Sequence, residues 1–253
     1  MTDLSNKTAL ITGSTSGIGL GIARTLYAHG ANIILNGFGD EVDIKKIQSE
    51  LGNAKHINTD LSTEDGVRDL MIQAGDIDIL VNNAGIQHTD AIENFPTEKW
   101  DLIISLMLSA PFHTIKSALP AMKTKQWGRI INIASVHGLV ASPNKSAYVS
   151  AKHGLVGLTK VTALEAAETG VTCNAICPGW VLTPLVQKQI DAIANKDGLS
   201  NEDASKTLLS EKEPTLQFTT PEDIGEMVVF LCSDAGRNMT GSTYSMDGAW
   251  SAR

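Results

Sequence analysis

Short apolar runs rich in Val and Ile alternate along the chain with longer amphipathic stretches, and this rhythm restricts the fold more than any other feature. Runs at residues 8–12, 32–35, 77–81, 129–133 and 171–176 predict strands, with weaker candidates at 55–58 and 241–246. Helical patterns occupy 18–29, 44–50, 64–74, 97–124, 147–166 and 221–231. The last has a clear start signal, with Thr220 as N-cap, Pro221 at the first helical position and acids in the first turn. Such alternation predicts an α/β fold: a Rossmann-type, doubly wound parallel sheet of about seven strands with helices on both faces. Strands buried on both sides read as continuous apolar runs, as these do.

The chain has 253 residues, 42% of them hydrophobic, enough for one continuous core. With no internal repeat and no linker, residues 1–253 are expected to form a single domain. One segment breaks the rhythm: residues 183–217 are helical and charged where the sheet should continue. A long insertion after a strand is more often functional than decorative. It would sit at the carboxyl end of the strands, where ligands bind in this architecture, and is expected to be a small helical lid over the substrate.

Between the first strand and the first helix stand Gly13, Thr15, Ser16, Gly17, Ile18 and Gly19. Glycines there permit a tight turn and close approach of backbone to a pyrophosphate, and the helix N-terminus offers free N–H groups to the anion. The spacing is G-x-x-x-G-x-G, so it is the position between strand and helix that makes this a cofactor cradle. The second strand runs into Asn36, Gly37, Phe38, Gly39 and Asp40. Nothing basic stands among residues 14–16 or 36–40 to neutralise a 2′-phosphate, and Asp40 would repel one, so NAD is favoured over NADP. Phe38 either packs against the adenosine or covers the core as a turn aromatic.

The formal net charge is −8 and no Lys/Arg cluster stands out, which argues against nucleic acid or an anionic membrane as partner. The polar residues 1–7 read as no signal peptide, and no apolar stretch reads as long enough to span a bilayer. Three cysteines, Cys173, Cys177 and Cys232, suggest neither a disulfide framework nor a zinc site, and no metal is expected. A cytoplasmic protein is the simplest account.

Tyr148 and Lys152 lie four residues apart in a helical segment and so share one face. A phenol titrates near ~10 in water, and a neighbouring ammonium lowers that value. The pair can then act as acid when a ketone is reduced and as base when an alcohol is oxidised. Lys152 could also hydrogen-bond the nicotinamide ribose. Ser135, closing the fifth strand, would project at the same sheet edge and donate to the oxygen that gains charge in the transition state.

Residues 12–19, Asn82 to Gly85, Ser135, Tyr148, Lys152, Pro178 and Gly179 fall in the order and spacing of the short-chain dehydrogenases, and the chain resembles that family over essentially its whole length. The resemblance implies that Asn83, Ala84 and Gly85 line the adenosine and ribose side of the cofactor. It implies that Asp60 and Leu61 touch the adenine, that Pro178, Gly179 and Thr183 hold the nicotinamide amide, and that Val181 also binds the cofactor. It also implies a homotetramer in which helices 97–124 and 147–166 pack between subunits. One position departs from the family pattern. Seven residues after Trp100, where the family carries an asparagine thought to bend the helix and hold a relay water, stands Met107. A thioether cannot hold water by a strong hydrogen bond. Either a neighbouring group substitutes, or catalysis is weakened, or the variant is crippled.

In finer detail the stretches 82–88, 134–138, 144–148, 177–180, 183–189 and 247–250 are similar to the bacterial D-3-hydroxybutyrate dehydrogenases within that family. The similarity implies NAD-linked interconversion of (R)-3-hydroxybutyrate and acetoacetate, with Gln87, His137, Lys145 and Gln189 gripping the small carboxylate and Trp180 and Trp250 closing the pocket. A buried carboxylate needs a charged partner and several donors, which one lysine, two amides and an imidazole supply. The alternatives are another hydroxy or keto substrate, such as a sugar or a β-ketoacyl thioester, and a cofactor-binding protein without turnover.

Overall fold

The computed structural model describes residues 2–252. Among the described residues there are seven strands: β1 (Thr8–Ile11), β2 (Asn32–Asn36), β3 (Lys55–Ile57), β4 (Ile79–Asn82), β5 (Gly128–Ile133), β6 (Val171–Pro178) and β7 (Thr243–Met246). All pair in parallel, in the order β3-β2-β1-β4-β5-β6-β7. Side chains along a strand point alternately to opposite faces, and both faces are covered. Ala9 and Ile11 enter a core with Ile22 and Leu26 of helix α1 (Gly17–Ala28) and Val228 of α9 (Pro221–Cys232). Leu10 between them enters a second core with Leu70 of α3 (Glu64–Ala74) and Ile115 of α5 (Ala110–Lys125). In register, Leu10 stands beside Ile34 of β2 and Leu80 of β4. Each such fully buried Leu, Ile or Val side chain contributes roughly 1.5–3 kcal/mol.

The chain winds outward from β1 through β2 to β3, then crosses back to place β4 on the other side of β1. Connections therefore part in opposite directions above the carboxyl ends of β1 and β4, which opens a crevice there. Helices α2 (Glu41–Glu50), α3 and α9 begin on side-chain caps from Asp40, Thr63 and Thr220, the last a full capping box with Asp223. The N-terminus of α1 has no such cap: Ser16 makes no side-chain capping bond and no acid stands in the first turn.

The helix expected over 97–124 is interrupted. α4 (Thr97–Ile104) passes into a π turn at Ser105–Ser109 before α5 resumes. Such turns widen the helix by one residue and often occur at functional sites. Joined through that turn, Thr97–Lys125 is one 29-residue helix whose mean hydropathy of 1.4 over its best window makes it long and apolar enough to cross a membrane. This corrects the reading that no stretch reaches that length. The helix packs along α3 and α6 (Ser146–Ala166), and its apolar residues serve two faces: a buried one holding Ile103 and Met107, and an outer one holding Trp100 and Phe112.

The irregular stretch 183–217 forms two helices, α7 (Pro184–Asp197) and α8 (Asn201–Ser210). Val186 and Ile190 of α7 pack on Ala204 and Leu208 of α8, with Trp180 and Phe218 at the base. The chain leaves and re-enters at one point: the Leu182 N–H donates to the Thr219 carbonyl (2.9 Å) and the Thr219 N–H to the Trp180 carbonyl (3.1 Å). The result is a small helical hairpin standing on the carboxyl edge of the sheet.

Candidate active site

A cleft of about 700 Å³ opens above the crevice, lined by segments that follow β1 to β5. After β1 come Gly13, Thr15, Ser16, Gly17 and Ile18; after β2, Phe38; after β3, Asp60 and Leu61; after β4, Asn83, Ala84, Gly85 and Gln87. Gly13 turns at φ +61°, and a side chain there would press on the Ala84 backbone at 2.9 Å. A Cβ on Gly19 would lie 2.4 Å from the Gly13 carbonyl, so that residue closes the turn from behind without lining the cleft. Asn83 braces the turn, its amide donating to the carbonyls of Thr12 (2.9 Å) and Gly13 (3.0 Å). An uncapped helix N-terminus behind a glycine turn is a donor set for an anion, so these residues fit the pyrophosphate of a dinucleotide.

Ile133, Ala134, Tyr148, Lys152 and Thr183 line the other end, with Met107 among the apolar residues beside them. Tyr148 and Lys152 come from the first two turns of α6. Ser135 lies two residues past β5, as N-cap of a short 3-10 turn, Val136–Gly138, where its hydroxyl accepts from the His137 N–H (3.2 Å). Lys152 is buried and donates to the Ile133 carbonyl at 2.7 Å, with its Nζ 5.7 Å from the centre of the Tyr148 ring. Burial pushes that ammonium down to about 8. The expectation that Lys152 lowers the phenol needs correcting. Burial dominates and raises the Tyr148 phenol above its ordinary value, and the group opposing this is the Ser135 hydroxyl, not Lys152. The low-dielectric wall that makes the site dry outweighs the Lys152 cation, whose Nζ is held at the Ile133 carbonyl.

Beyond Tyr148 the site continues as a row of rings. The His137 ring lies 5.9 Å from that of Tyr148 and 5.3 Å from that of Trp250, each pair edge to face. His137 is buried, its Nε2 3.0 Å from the Ser142 hydroxyl. Burial, then the charge of Lys145, lowers it to about 4, so it is a neutral imidazole at physiological pH. Lys145, just before α6, is itself pushed down by burial and then by Lys212.

The other residues expected from the sequence are more dispersed. Gln87 is exposed at the cleft rim, and Phe38, 64% exposed, borders it. Gln189 lies exposed on α7 and does not line the cleft. Pro178, Gly179 and Val181 stand behind the lining at the end of β6; Val181 is engaged in a bridge to Thr219. Trp180 packs into the base of the helical hairpin. Asp40 caps α2 through the Val42 N–H (2.8 Å) and takes no part in the lining. Met107 is buried in the π turn, packed with Ala147, Ala151 and Tyr148, and its Cε approaches Gly85.

Sequence reasoning missed two residues near the site, Lys212 and Glu213. Both follow α8, where the sequence shows only a run of charges. Glu213 is fully buried and accepts from the Trp180 N–H, a placement created by long-range packing.

A family model described as enoyl-(acyl carrier protein) reductase matches residues 13–251. The chain is 58% identical over 257 residues to a D-beta-hydroxybutyrate dehydrogenase of Cupriavidus necator, covering 99% of this chain and 100% of that protein. It is 52% identical to a protein of the same description from Rhizobium meliloti, covering 98% and 99%. Among solved structures, L-sorbose reductase from Gluconobacter frateurii, complexed with NADPH and L-sorbose, superposes with a TM-score of 0.90 at 29% identity, covering 100% of this chain and 99% of that one.

Proposed function

The chain belongs to the short-chain dehydrogenase/reductase family, and from that premise we propose that it interconverts (R)-3-hydroxybutyrate and acetoacetate, with NAD as hydride carrier and Tyr148 as acid and base. The observation that carries the substrate is the row Tyr148, His137, Trp250 with Lys145 beside it: a proton donor continuous with a half-dry, cationic recess. Its charge suits a carboxylate. The names of the two bacterial relatives point the same way.

When bound, the nicotinamide supplies the hydride for reduction or takes it up in oxidation. Tyr148 gives its phenolic proton to the substrate oxygen as the ketone becomes an alcohol, and takes a proton back in reverse. Because burial raises the phenol, it holds its proton at neutral pH and starts as an acid. Ser135 donates to the same oxygen as charge builds there. Lys152 contributes a fixed positive charge behind the phenol and a donor for the nicotinamide ribose. Lys145, with neutral His137 and the rim residue Gln87 as polar contacts, holds the carboxylate and Trp250 keeps water out; Gln189 of α7 and Trp180 at the hairpin base join them when the hairpin closes. The hairpin α7–α8 acts as the lid.

NAD is preferred to NADP because a 2′-phosphate would meet no guanidinium: among the described residues the cleft lining includes no Arg, and its one Lys is Lys152. Exposed Trp100, Phe112, Val161 and Leu164 on the α4–α5 and α6 faces support packing between subunits of a homotetramer. Free, buried thiols fit a reducing cytoplasm.

Lys145→Ala tests the substrate. Removing a half-buried cation from a bound carboxylate should weaken it by about 2 kcal/mol, near thirty-fold in KM for acetoacetate. A neutral ketone should be unaffected. Equal losses on both would count against a carboxylate site.

A further inference from the structure

A chain of buried hydrogen bonds crosses the sheet beneath the site. The Thr114 hydroxyl of α5 donates to the Asn82 amide oxygen on β4 (2.7 Å), and the Asn82 amide donates to the Asn132 amide oxygen on β5 (2.9 Å). The Asn132 amide donates to the Thr159 hydroxyl of α6 (2.9 Å), which donates to the Leu155 carbonyl one turn back (2.8 Å). All four side chains are buried, and Asn132 and Thr159 have no exposed surface. Asn82 and Asn132 are register partners in the sheet. Ile131 and Ile133, on either side of Asn132, enter the core under α1 and α9, so the Asn132 amide faces α5 and α6.

These bonds run in one direction only. Thr159 gives its proton to the Leu155 carbonyl, so towards Asn132 its oxygen can only accept. Asn132 must then turn its NH2 to α6 and its oxygen to Asn82, and Asn82 its oxygen to Thr114. Beyond Thr159, the Asn132 NH2 meets the Cys173 sulfur at 3.7 Å, a weak acceptor. Polar groups inside a core cost stability unless paired, and a fully paired set fixes one arrangement of the elements that carry it.

Adjacent residues of β5 thus hold α6 at two points: the Ile133 carbonyl takes Lys152 (2.7 Å) and the Asn132 amide takes Thr159. The points lie about 10.5 Å apart along the helix, and Tyr148 stands about 6 Å beyond Lys152 on the far side from Thr159. Lys152 is therefore the pivot. A displacement of about 1 Å at Thr159 would swing Tyr148 by about 0.6 Å the opposite way, on the scale at which misalignment of reacting groups costs rate. The same chain reaches the cofactor cradle, because Asn83, next to Asn82, braces the glycine turn.

We infer that Asn132 and Thr159 are positioning residues, which set the rotation and slide of α6 so that Tyr148 meets the reacting oxygen above the cradle. Both act on the assigned reaction only through α6, so this role rests on Tyr148 as its acid. Thr159→Val keeps the shape of the side chain and removes the acceptor. Per folded protein, it should lower kcat for acetoacetate reduction about ten-fold, with KM for acetoacetate and the affinity for NADH within about two-fold of wild type. The isotope effect on kcat with NADH deuterated at the transferred hydrogen should rise, because the chemical step slows. Thr159→Ser loses a methyl group but keeps the acceptor, and its kcat should stay within about two-fold of wild type. A merely structural role would change the stability of both variants and leave kcat per folded protein alone. Should Thr159→Val not fold, Thr159→Ala is measured in its place, with the same loss expected. An unchanged kcat per folded protein, an equal loss in Thr159→Ser or a loss confined to KM would overturn the inference. Should the wild type reduce another carbonyl compound but not acetoacetate, the same comparison on that compound decides the role of α6, and only the substrate assignment falls. A wild type that reduces no carbonyl compound overturns both.

Discussion

Lys152 donates its ammonium proton to the backbone carbonyl of Ile133 at 2.7 Å, tying α6 to the carboxyl end of β5. Helix α6 is thus fixed to the sheet edge by the charged residue beside the Tyr148 ring. The cation is oriented by backbone, and its distance to the phenol ring, 5.7 Å, follows from that anchoring.

If Tyr148 carries the proton, Tyr148→Phe should lower kcat by about 10²–10⁴-fold while leaving NADH affinity within a few-fold. If Lys152 serves both the phenol and the ribose, Lys152→Met should lower both kcat and NADH affinity. Pre-steady-state mixing with NADH fluorescence separates the two effects. A Phe variant retaining more than a tenth of wild-type kcat would remove Tyr148 from the proton path.

Met107 occupies the π turn against Gly85 and beside Tyr148. The π turn forms there without the family's asparagine, and Lys152 finds its partner in Ile133. Met107→Asn buries an amide in an apolar cluster, so thermal stability should fall by about 1–3 kcal/mol. The rate should rise by no more than a few-fold. A gain of ten-fold or more in kcat would show that the native relay lacks a polar member at this position.

Glu213 is fully buried, and its Oε2 has no hydrogen-bond partner among the described residues. Burial raises its carboxyl, the Trp180 N–H opposes this, and Asp247 adds to it. A carboxyl raised in the folded state favours the protonated form. Its contribution is intact below the ordinary carboxylate value and is lost as pH rises through the higher folded value. Glutamine mimics the protonated form, so Glu213→Gln should raise Tm by roughly 2–6 °C at pH 7.5 and change it little near pH 4. Calorimetry at the two pH values checks the sign. A loss of stability at pH 7.5 would mean that the ionised carboxylate is needed where it lies.

The sheet was legible because its strands are buried on both faces: Leu10, Ile34 and Leu80, neighbours in the centre, each lie in a continuous apolar run. Even the weak candidates became β3 and β7, with 55–58 shortened to Lys55–Ile57 and 241–246 to Thr243–Met246. The glycine turn and the Tyr148–Lys152 spacing were readable because they are local, set by one turn and by helical period. What the sequence did not reveal depends on long-range packing. The π turn at Ser105–Ser109 has no glycine or proline to announce it. The depth of Glu213 is set by residues around 179 and 248, and the position of Lys212 by the indole of Trp250. The direction of the Tyr148 shift also escaped, since spacing gives the nearness of a cation but not the burial that outweighs it.

The central claim is that this site reduces a small keto acid with NADH. The most direct measurement is the initial rate of acetoacetate reduction with NADH and with NADPH, beside a sugar and a neutral methyl ketone under the same conditions. Expected is saturable turnover of acetoacetate with NADH, at least ten-fold above its kcat/KM with NADPH and above either other substrate. No turnover of acetoacetate with either cofactor, while the sugar or the neutral ketone is reduced, would contradict it.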